Sequence, residues 1–465
     1  LIGIGMLITW PYQKRNIYLS ENALSPHSMG MRFREVSRVT TLIQQLQNRN
    51  IEENRETLKT ILAYEHGLEV IQKQNNTATI LRSERGPGKE ALLLGVSLKQ
   101  KEATALVVGL ILYMQENARW LNKDILIVFV ESKKGIRNYL ENEKDMISTG
   151  RITEAIMVDI PHLRFDNLAI EKDGHNGLQP CLDMVNVIRY IAKRLHQPID
   201  THMTKDTYAF LLQDVWKKIV SKGDGMHADA RDFSIHALTL KGIGHHGQAQ
   251  KNIIQLGKLL EGTIRVLNNL LEVFHHSYYL YILLSPEHFM GFENYSPTMW
   301  CILLPIAVAA FRKLNDKNVV LSSTQWSSSA FVGVLTYVLT LLLMLLLEFF
   351  SKSHLLAIPF IVILSIIIAN RSQRATELQS LYYLFAFIGS MYLAGKSPMM
   401  AIFFMLVVHM NTLFFFSRYF IVFQLCLCPL FITSEASHLF YYMLIYWATP
   451  LYALALTIQC KKYFK

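Results

Sequence analysis

Cys181 follows Pro180 at the start of a predicted helix, with His175 six residues before it. A thiol nucleophile needs a base within hydrogen-bond reach and donors for an oxyanion. This spacing supplies neither, so Cys181 is expected to be a buried structural cysteine. The Gly174–Gly177 stretch (GHNG) is a turn pattern, and His227 and His236 are isolated, as core or surface histidines are. The other cysteines are Cys301, Cys426, Cys428 and Cys460, all in apolar runs near the C-terminus. The soluble region therefore has no partner for an internal disulfide, and the Cys426-Leu427-Cys428 triplet is expected to pack rather than bind metal. Two polar clusters remain, Tyr18-Leu19-Ser20-Glu21-Asn22 and His275-His276-Ser277, the second running into Tyr278-Tyr279-Leu280-Tyr281.

What positions these groups is a membrane block. Apolar segments recur at 295–311, 326–350, 354–370, 378–395, 398–416, 419–433 and 438–459. Most approach the ~17–25 residues that a helix needs to cross hydrocarbon, and in lipid the backbone must satisfy itself within the segment. Seven transmembrane helices over 295–460 are expected. Arg312, Lys313, Lys317, Arg371, Arg374, Arg418, Lys461, Lys462 and Lys465 fall in alternate loops and the tail. Basic loops stay cytosolic, which puts the tail 461–465 in the cytosol and the large region before residue 295 on the other side. These nine cations account for much of the net charge of +10, so nucleic acid is not expected as a partner. Leu1–Trp10 is apolar and leads into Pro11, Tyr12, Lys14 and Arg15, the pattern of a further span ending at an aromatic belt. Residues 1–10 are expected to be the end of a first transmembrane helix whose start lies before Leu1, with a signal-peptide remnant as the alternative.

The residues between are patterned as a folded domain. Segment 11–67 carries the Tyr18 cluster and two predicted helices, 33–47 and 56–65, the second capped by Gly67. Over 68–247 strands are predicted at 68–72, 77–81, 90–98, 124–130, 154–160, 167–171 and 235–243. Helices are predicted at 104–116, 137–145, 181–195 and 206–220. Continuous apolar strands between helices argue a mostly parallel sheet covered on both faces. From Gln248 an apolar stripe at Leu256, Leu260, Ile264, Leu267, Leu271, Phe274 and Tyr278 predicts one long amphipathic helix over 248–281. That helix should leave the α/β domain with His275 at its foot, followed by an interfacial segment at 282–294. The clusters at Tyr18 and His275 would then meet one membrane face.

Three motifs carry a family resemblance: the Tyr18–Asn22 segment after a first span; Ile235-His236-Ala237-Leu238-Thr239-Leu240-Lys241-Gly242-Ile243; and Gly257-Lys258-Leu259-Leu260-Glu261-Gly262, with Leu267-Asn268-Asn269-Leu270-Leu271-Glu272 and His275-His276-Ser277. Together they resemble the GPI-anchor attachment protein family, the large multi-span subunit of the glycosylphosphatidylinositol (GPI) transamidase of the endoplasmic reticulum membrane. The resemblance implies eight spans and a luminal α/β domain shaped like a zinc aminopeptidase. It also implies partner subunits, one of them a caspase-like cysteine subunit that cuts precursor proteins and passes them to the amine of GPI.

A two-metal aminopeptidase needs a His and an Asp after an early strand, a Glu pair after the next, then an Asp and a late His. After 90–98 this chain offers Val96, Ser97, Leu98 and Lys99. After the following strand it has Glu131, Ser132, Lys133 and Lys134, where two ammonium groups would repel a dication. Asp159 fits the later Asp, and His245 or His246 the last His. No metal, cofactor or catalytic residue is expected. In the family the Tyr and Ser of the first motif and the polar triplet contact GPI; here these are Tyr18, Ser20, His275, His276 and Ser277, with His276 where the family can have Gln. The expected function is a non-catalytic subunit that binds GPI for transfer to precursor proteins. The alternatives are a membrane-anchored zinc aminopeptidase-like enzyme with a degenerate site, revived by a residual metal on Asp159, and a transporter, which would need paired charges within the spans, where the candidates Glu348 and His409 are too few. Of the sequons, Asn75 is expected to face the lumen and Asn370 the cytosol.

Overall fold

The computed structural model describes residues 2–16, 18–24, 30–47, 49–73, 76–132, 135–143, 147, 149–200, 207–220, 223, 225–271, 274–285, 287–314, 338 and 375–414. The chain forms two compact units, one of residues 14–214 and 223–291, the other of residues 1–13, 215–222 and 292–465. The strands are β1 (Arg15–Asn16), β2 (Glu69–Lys73), β3 (Asn76–Leu81), β4 (Glu90–Ser97), β5 (Asp124–Val130), β6 (Arg151–Asp159), β7 (Asn167–Glu171), β8 (Ile199–Asp200), β9 (His236–Ile243), β10 (Tyr281–Ser285) and β11 (His288–Gly291). The helices are α1 (Ile2–Thr9), α2 (Val36–Gln47), α3 (Ile51–Lys59), α4 (Lys101–Asn117), α5 (Gly135–Asn138), α6 (Leu182–Arg194), α7 (Thr207–Val220), α8 (Met226–Asp232), α9 (Ala249–Asn268), α10 (Phe292–Leu314), α11 (Ala375–Lys396) and α12 (Pro398–Phe414).

In the first unit, eight strands pair in the order β2-β3-β5-β4-β6-β9-β7-β8. The centre, β5-β4-β6-β9, is parallel, whereas β2–β3, β3–β5 and β7–β9 are antiparallel. The sheet expected to be mostly parallel is a mixed one, parallel at its centre and in the β7–β8 pair, with antiparallel pairs on both flanks. Alternation along β4 explains its uninterrupted apolar run. Leu92, Leu94 and Val96 enter a core shared with α2, α4, α6 and α9, while Ala91 and Leu93 enter one shared with α5 and α8. With apolar groups wanted on both faces, polar alternation disappears. The apolar run 103–114 is buried along its whole length in α4.

Three expectations are corrected. The helix predicted at 56–65 begins earlier, at Ile51, where the Asn50 N–H donates to the Glu53 carboxylate at 3.2 Å. Past Lys59 it continues as a π-helical stretch, Thr60–Glu65, that closes as expected at Gly67, φ +67°, with the Leu68 N–H on the Leu62 carbonyl at 2.8 Å. The long helix predicted to 281 stops at Asn268, and its stripe (Leu256, Leu260, Ile264, Leu267) stays within the domain core. Asn268 Oδ1 accepts the N–H groups of Asn122 (2.8 Å) and Lys123 (2.9 Å), so a tertiary contact ends what the apolar period alone would continue. Finally, the segment predicted to lie in an interface forms the β10–β11 hairpin, which β1 extends to three antiparallel strands. Tyr281, Leu283 and Phe289 belong to the main core.

In the second unit, α10 covers the first expected span, and Phe292–Arg312 is long and apolar enough to cross a membrane; Pro398–Met410 is a shorter apolar helix. α10 packs against α1, α11 and α12. Trp10 Nε1 donates to Thr298 Oγ1 at 3.0 Å, and His409 Nε2 lies 2.7 Å from the Ile302 carbonyl. The segments at 326–350 (residue 338 apart), 354–370, 419–433 and 438–459, with Glu348, Cys426, Cys428 and Cys460, lie outside the described residues, as do Asn75, Lys133, Lys134 and Asn370.

Candidate functional site

The two polar clusters, more than 250 residues apart in sequence, are joined by two carboxylates. Asp183 sits in the first turn of α6, a helix whose buried face carries Leu182, Val185, Asn186 and Arg189. Its Oδ1 accepts the Ser20 N–H and its Oδ2 the Glu21 N–H, each at 2.9 Å. Its own N–H donates to Ser277 Oγ at 3.1 Å. Glu21 faces the second cluster, where its Oε1 accepts the His276 N–H at 2.7 Å and the His275 N–H as well. One turn along α6, Asn186 Nδ2 donates to the Tyr18 carbonyl at 2.9 Å. The Tyr18 ring stands edge-on to Tyr278 with centroids 6.4 Å apart, and 5.7 Å from Phe289.

Tyr18, His275 and His276 are exposed, Ser20 is partly so, and Ser277 is buried with its hydroxyl engaged by Asp183. Burial pushes the Asp183 carboxyl up; the two amide bonds oppose the rise and the Glu21 charge adds to it. Glu21 belonged to a motif singled out in the sequence yet had no assigned role, and Asp183 gave no signal there. Their partners are backbone amides far away in the chain.

Behind this junction lies a buried polar layer. The Cys181 N–H donates to His236 Nδ1 at 3.2 Å, and Arg231 Nη1 lies 3.3 Å from the same nitrogen. Two donors on Nδ1 require a neutral ring with its proton on Nε2. Burial, followed by the charges of Arg231 and Arg151, lowers the His236 pKa to about 4. Phe274 and Tyr279 flank the imidazole at 5.3 and 5.6 Å. Cys181 is fully buried and its thiol is pushed well above the ordinary value, first by desolvation. It is the buried structural cysteine expected. His175, the base weighed for it, instead pairs with Asp232 at 3.1 Å. His227 is a core histidine, with Nδ1 2.8 Å from Thr239 Oγ1 and Nε2 3.2 Å from the Asp173 carbonyl.

The positions tested for zinc do not fit a two-metal centre. Val96 and Leu98 are core residues, and Asp159 accepts the side-chain amide of Gln100. His245 is exposed against the His162 ring, 5.9 Å away. Among the described residues, His175, Asp229 and Asp232 do bring three ligand atoms within 4.8 Å of one another, but none is an expected ligand. Arg137 donates to both aspartates, through Nε to Asp229 at 3.0 Å and through Nη2 to Asp232. A guanidinium already occupies both carboxylates and offsets part of their charge.

Comparison with known proteins gives one family. Residues 73–458 match the family model described as Gaa1-like, GPI transamidase component. The GPI transamidase component GAA1 of Saccharomyces cerevisiae is 26% identical over 365 residues, covering 71% of this chain and 58% of that protein. Its Schizosaccharomyces pombe counterpart is 27% identical over 268 residues, covering 51% of this chain and 46% of that protein. The chain thus spans about half the length of these curated relatives. Among solved structures, the Legionella pneumophila LapA aminopeptidase aligns with a TM-score of 0.39 at 11% identity, over 56% of this chain and 79% of its own. An Acidobacteriales bacterium glutaminyl cyclase aligns at 0.37 and 12%, over 52% and 98%. Likeness at that level carries no functional weight. The family match extends over most of the sequence, and the chain belongs to the Gaa1-like family of GPI transamidase components.

Proposed function

We propose that this chain is a non-catalytic subunit of the GPI transamidase, in the endoplasmic reticulum membrane with its α/β domain in the lumen. It binds the GPI glycolipid through Tyr18, Ser20, His275, His276 and Ser277 and holds it for transfer to the C-terminus of precursor proteins. The observation that carries this reading is the junction of the two clusters through Glu21 and Asp183. Hydroxyls and imidazoles suit phosphate and sugar oxygens, and a histidine beside phosphate gains charge assistance when protonated. Holding an amine beside an acyl-enzyme accelerates transfer by proximity alone, without a catalytic group on this chain. A caspase-like cysteine subunit would supply the acyl-enzyme; Cys181, buried and protonated, is unsuited to that role.

The test is glycolipid capture. Protein carrying Tyr18→Ala, Ser20→Ala and His275→Ala together is purified from membranes, and co-purified GPI is quantified by mass spectrometry. A large loss with the accompanying subunits still assembled is expected. Unchanged GPI with intact assembly would make these residues anchors at the headgroup layer, and the binding role would fall.

A further inference from the structure

Glu21 and Asp183 touch both segments of the site yet offer little to a ligand, since Glu21 is 6% and Asp183 0% exposed. Among the bonds described, both oxygens of Asp183 and Oε1 of Glu21 accept main-chain N–H groups of the site residues Ser20, His275 and His276 and of Glu21 beside them. The geometry points to Glu21 and Asp183 as positioning residues of the glycolipid site, a two-carboxylate clasp that fixes Ser20, and through it the segment that carries Tyr18, against the backbones of His275 and His276. This rests on the glycolipid reading above.

The two carboxylates work differently, and the difference makes the clasp testable. Asp183 uses both oxygens, one for each amide of the first segment. Glu21 gathers both amides of the second segment on a single oxygen. A side-chain amide has one acceptor oxygen and one NH2 donor. Glu21→Gln can therefore keep its oxygen beneath both N–H groups. Asp183→Asn must turn an NH2 toward either Ser20 or Glu21, setting donor against donor in a buried place. Ser277 links the halves, because its Oγ receives the N–H of Asp183 itself.

The experiment uses the full chain purified from membranes with its associated subunits, as wild type, Glu21→Gln, Glu21→Ala and Asp183→Asn. Co-purified GPI is measured by mass spectrometry, and hydrogen exchange is followed over residues 18–22 and 274–279. Asp183→Asn should lose roughly tenfold in retained GPI, with faster exchange at Ser20 and Glu21, as for about one lost buried hydrogen bond. Glu21→Ala should lose a similar amount, with faster exchange at His275 and His276 while Ser20 stays protected. Glu21→Gln should recover most of what Glu21→Ala loses. If Asp183→Asn fails to fold, the pair at Glu21 decides. Equal loss in Gln and Ala, or faster exchange with GPI fully retained, overturns the clasp. Should the Tyr18, Ser20 and His275 triple variant lose GPI while Glu21→Ala keeps it, the clasp alone falls; if that triple variant keeps GPI, the site reading falls and takes the clasp with it.

Discussion

Lys172 Nζ stands 2.8 Å from Asp214 Oδ1, and neither side chain reaches solvent to more than 3%. Asp173 lies at 2.8 Å from the same ammonium. Burial alone would lower the lysine pKa, but the charges of Asp173 and Asp214 outweigh it and hold the ammonium above the ordinary range. The other oxygen of Asp214 accepts the Leu283 N–H at 3.1 Å, and Gln179 Nε2 donates to the Tyr281 carbonyl at 3.0 Å. This ion cluster therefore fixes β10, the strand that follows His275–Ser277. Asp214→Ala should cost about 3 kcal/mol, the range for removing one partner of a buried pair. Asp214→Asn, which can still accept from Leu283, should cost less. Chemical denaturation of the two variants checks the order.

Gly257 meets Phe33 so closely that a Cβ would lie 2.1 Å from the ring atom Cδ1. Phe33 is fully buried, edge-on to Tyr113 at 5.4 Å, and its N–H is held by Glu261 at 2.9 Å. The ring has no free direction in which to yield. Gly257→Ala should destabilise the domain by about 1–3 kcal/mol, the usual cost of overpacking. Adding Phe33→Leu should recover part of it. A double-mutant cycle read by thermal melting would give that coupling.

The contrast between β4 and α9 explains what could be read from the sequence. β4 and β5 were legible because burial on both faces writes a continuous apolar run, and both begin where predicted. The Gly67 cap was legible because its φ of +67° favours glycine. The end of α9 was not, because Leu271 and Phe274 continue the apolar period beyond Asn268, whereas in the structure Leu271 is exposed and Phe274 serves the core from a loop. The hairpin 281–291 looked interfacial for a similar reason, an apolar run too short to separate strand from surface helix by period. At the candidate site the exposed groups were visible as motifs. The clasp beneath them was not, since a carboxylate that binds amides 162 residues away leaves no spacing to detect.

His236 should shape the acid limb of stability. Its folded pKa, about 4, lies below the ordinary histidine value near 6.5, so folding favours the neutral ring. That contribution is present above about pH 6.5 and is lost as pH falls through 4, on the order of 2–3 kcal/mol. His227, also lowered by burial, acts with the same sign. Asp183 and Glu154, both raised by burial, act with the opposite sign: their contribution is present below the ordinary carboxylate range and is lost as pH rises through their folded values. Subtracting a variant isolates one group. His236→Asn retains an acceptor for the Cys181 N–H, so its stability should fall less steeply than wild type between pH 6.5 and 4 in fluorescence-monitored melts.

Membrane orientation makes the last prediction. In the proposed orientation, the cations after the segments 295–311, 354–370 and 398–416 would stand in cytosolic loops and the α/β domain in the lumen. Asn75-Asn76-Thr77 would meet the glycosylation machinery, whereas Asn370-Arg371-Ser372 would not. Asn294, in the first turns of α10 and followed by Pro297, should stay bare at the bilayer surface. Chain synthesised into microsomes should therefore carry one glycan, removable by endoglycosidase and abolished by Asn75→Gln. Asn370→Gln should change nothing. Loss of a glycan in Asn370→Gln would reverse the loop after 354–370, and with it the luminal assignment of the domain that holds Tyr18 and His275.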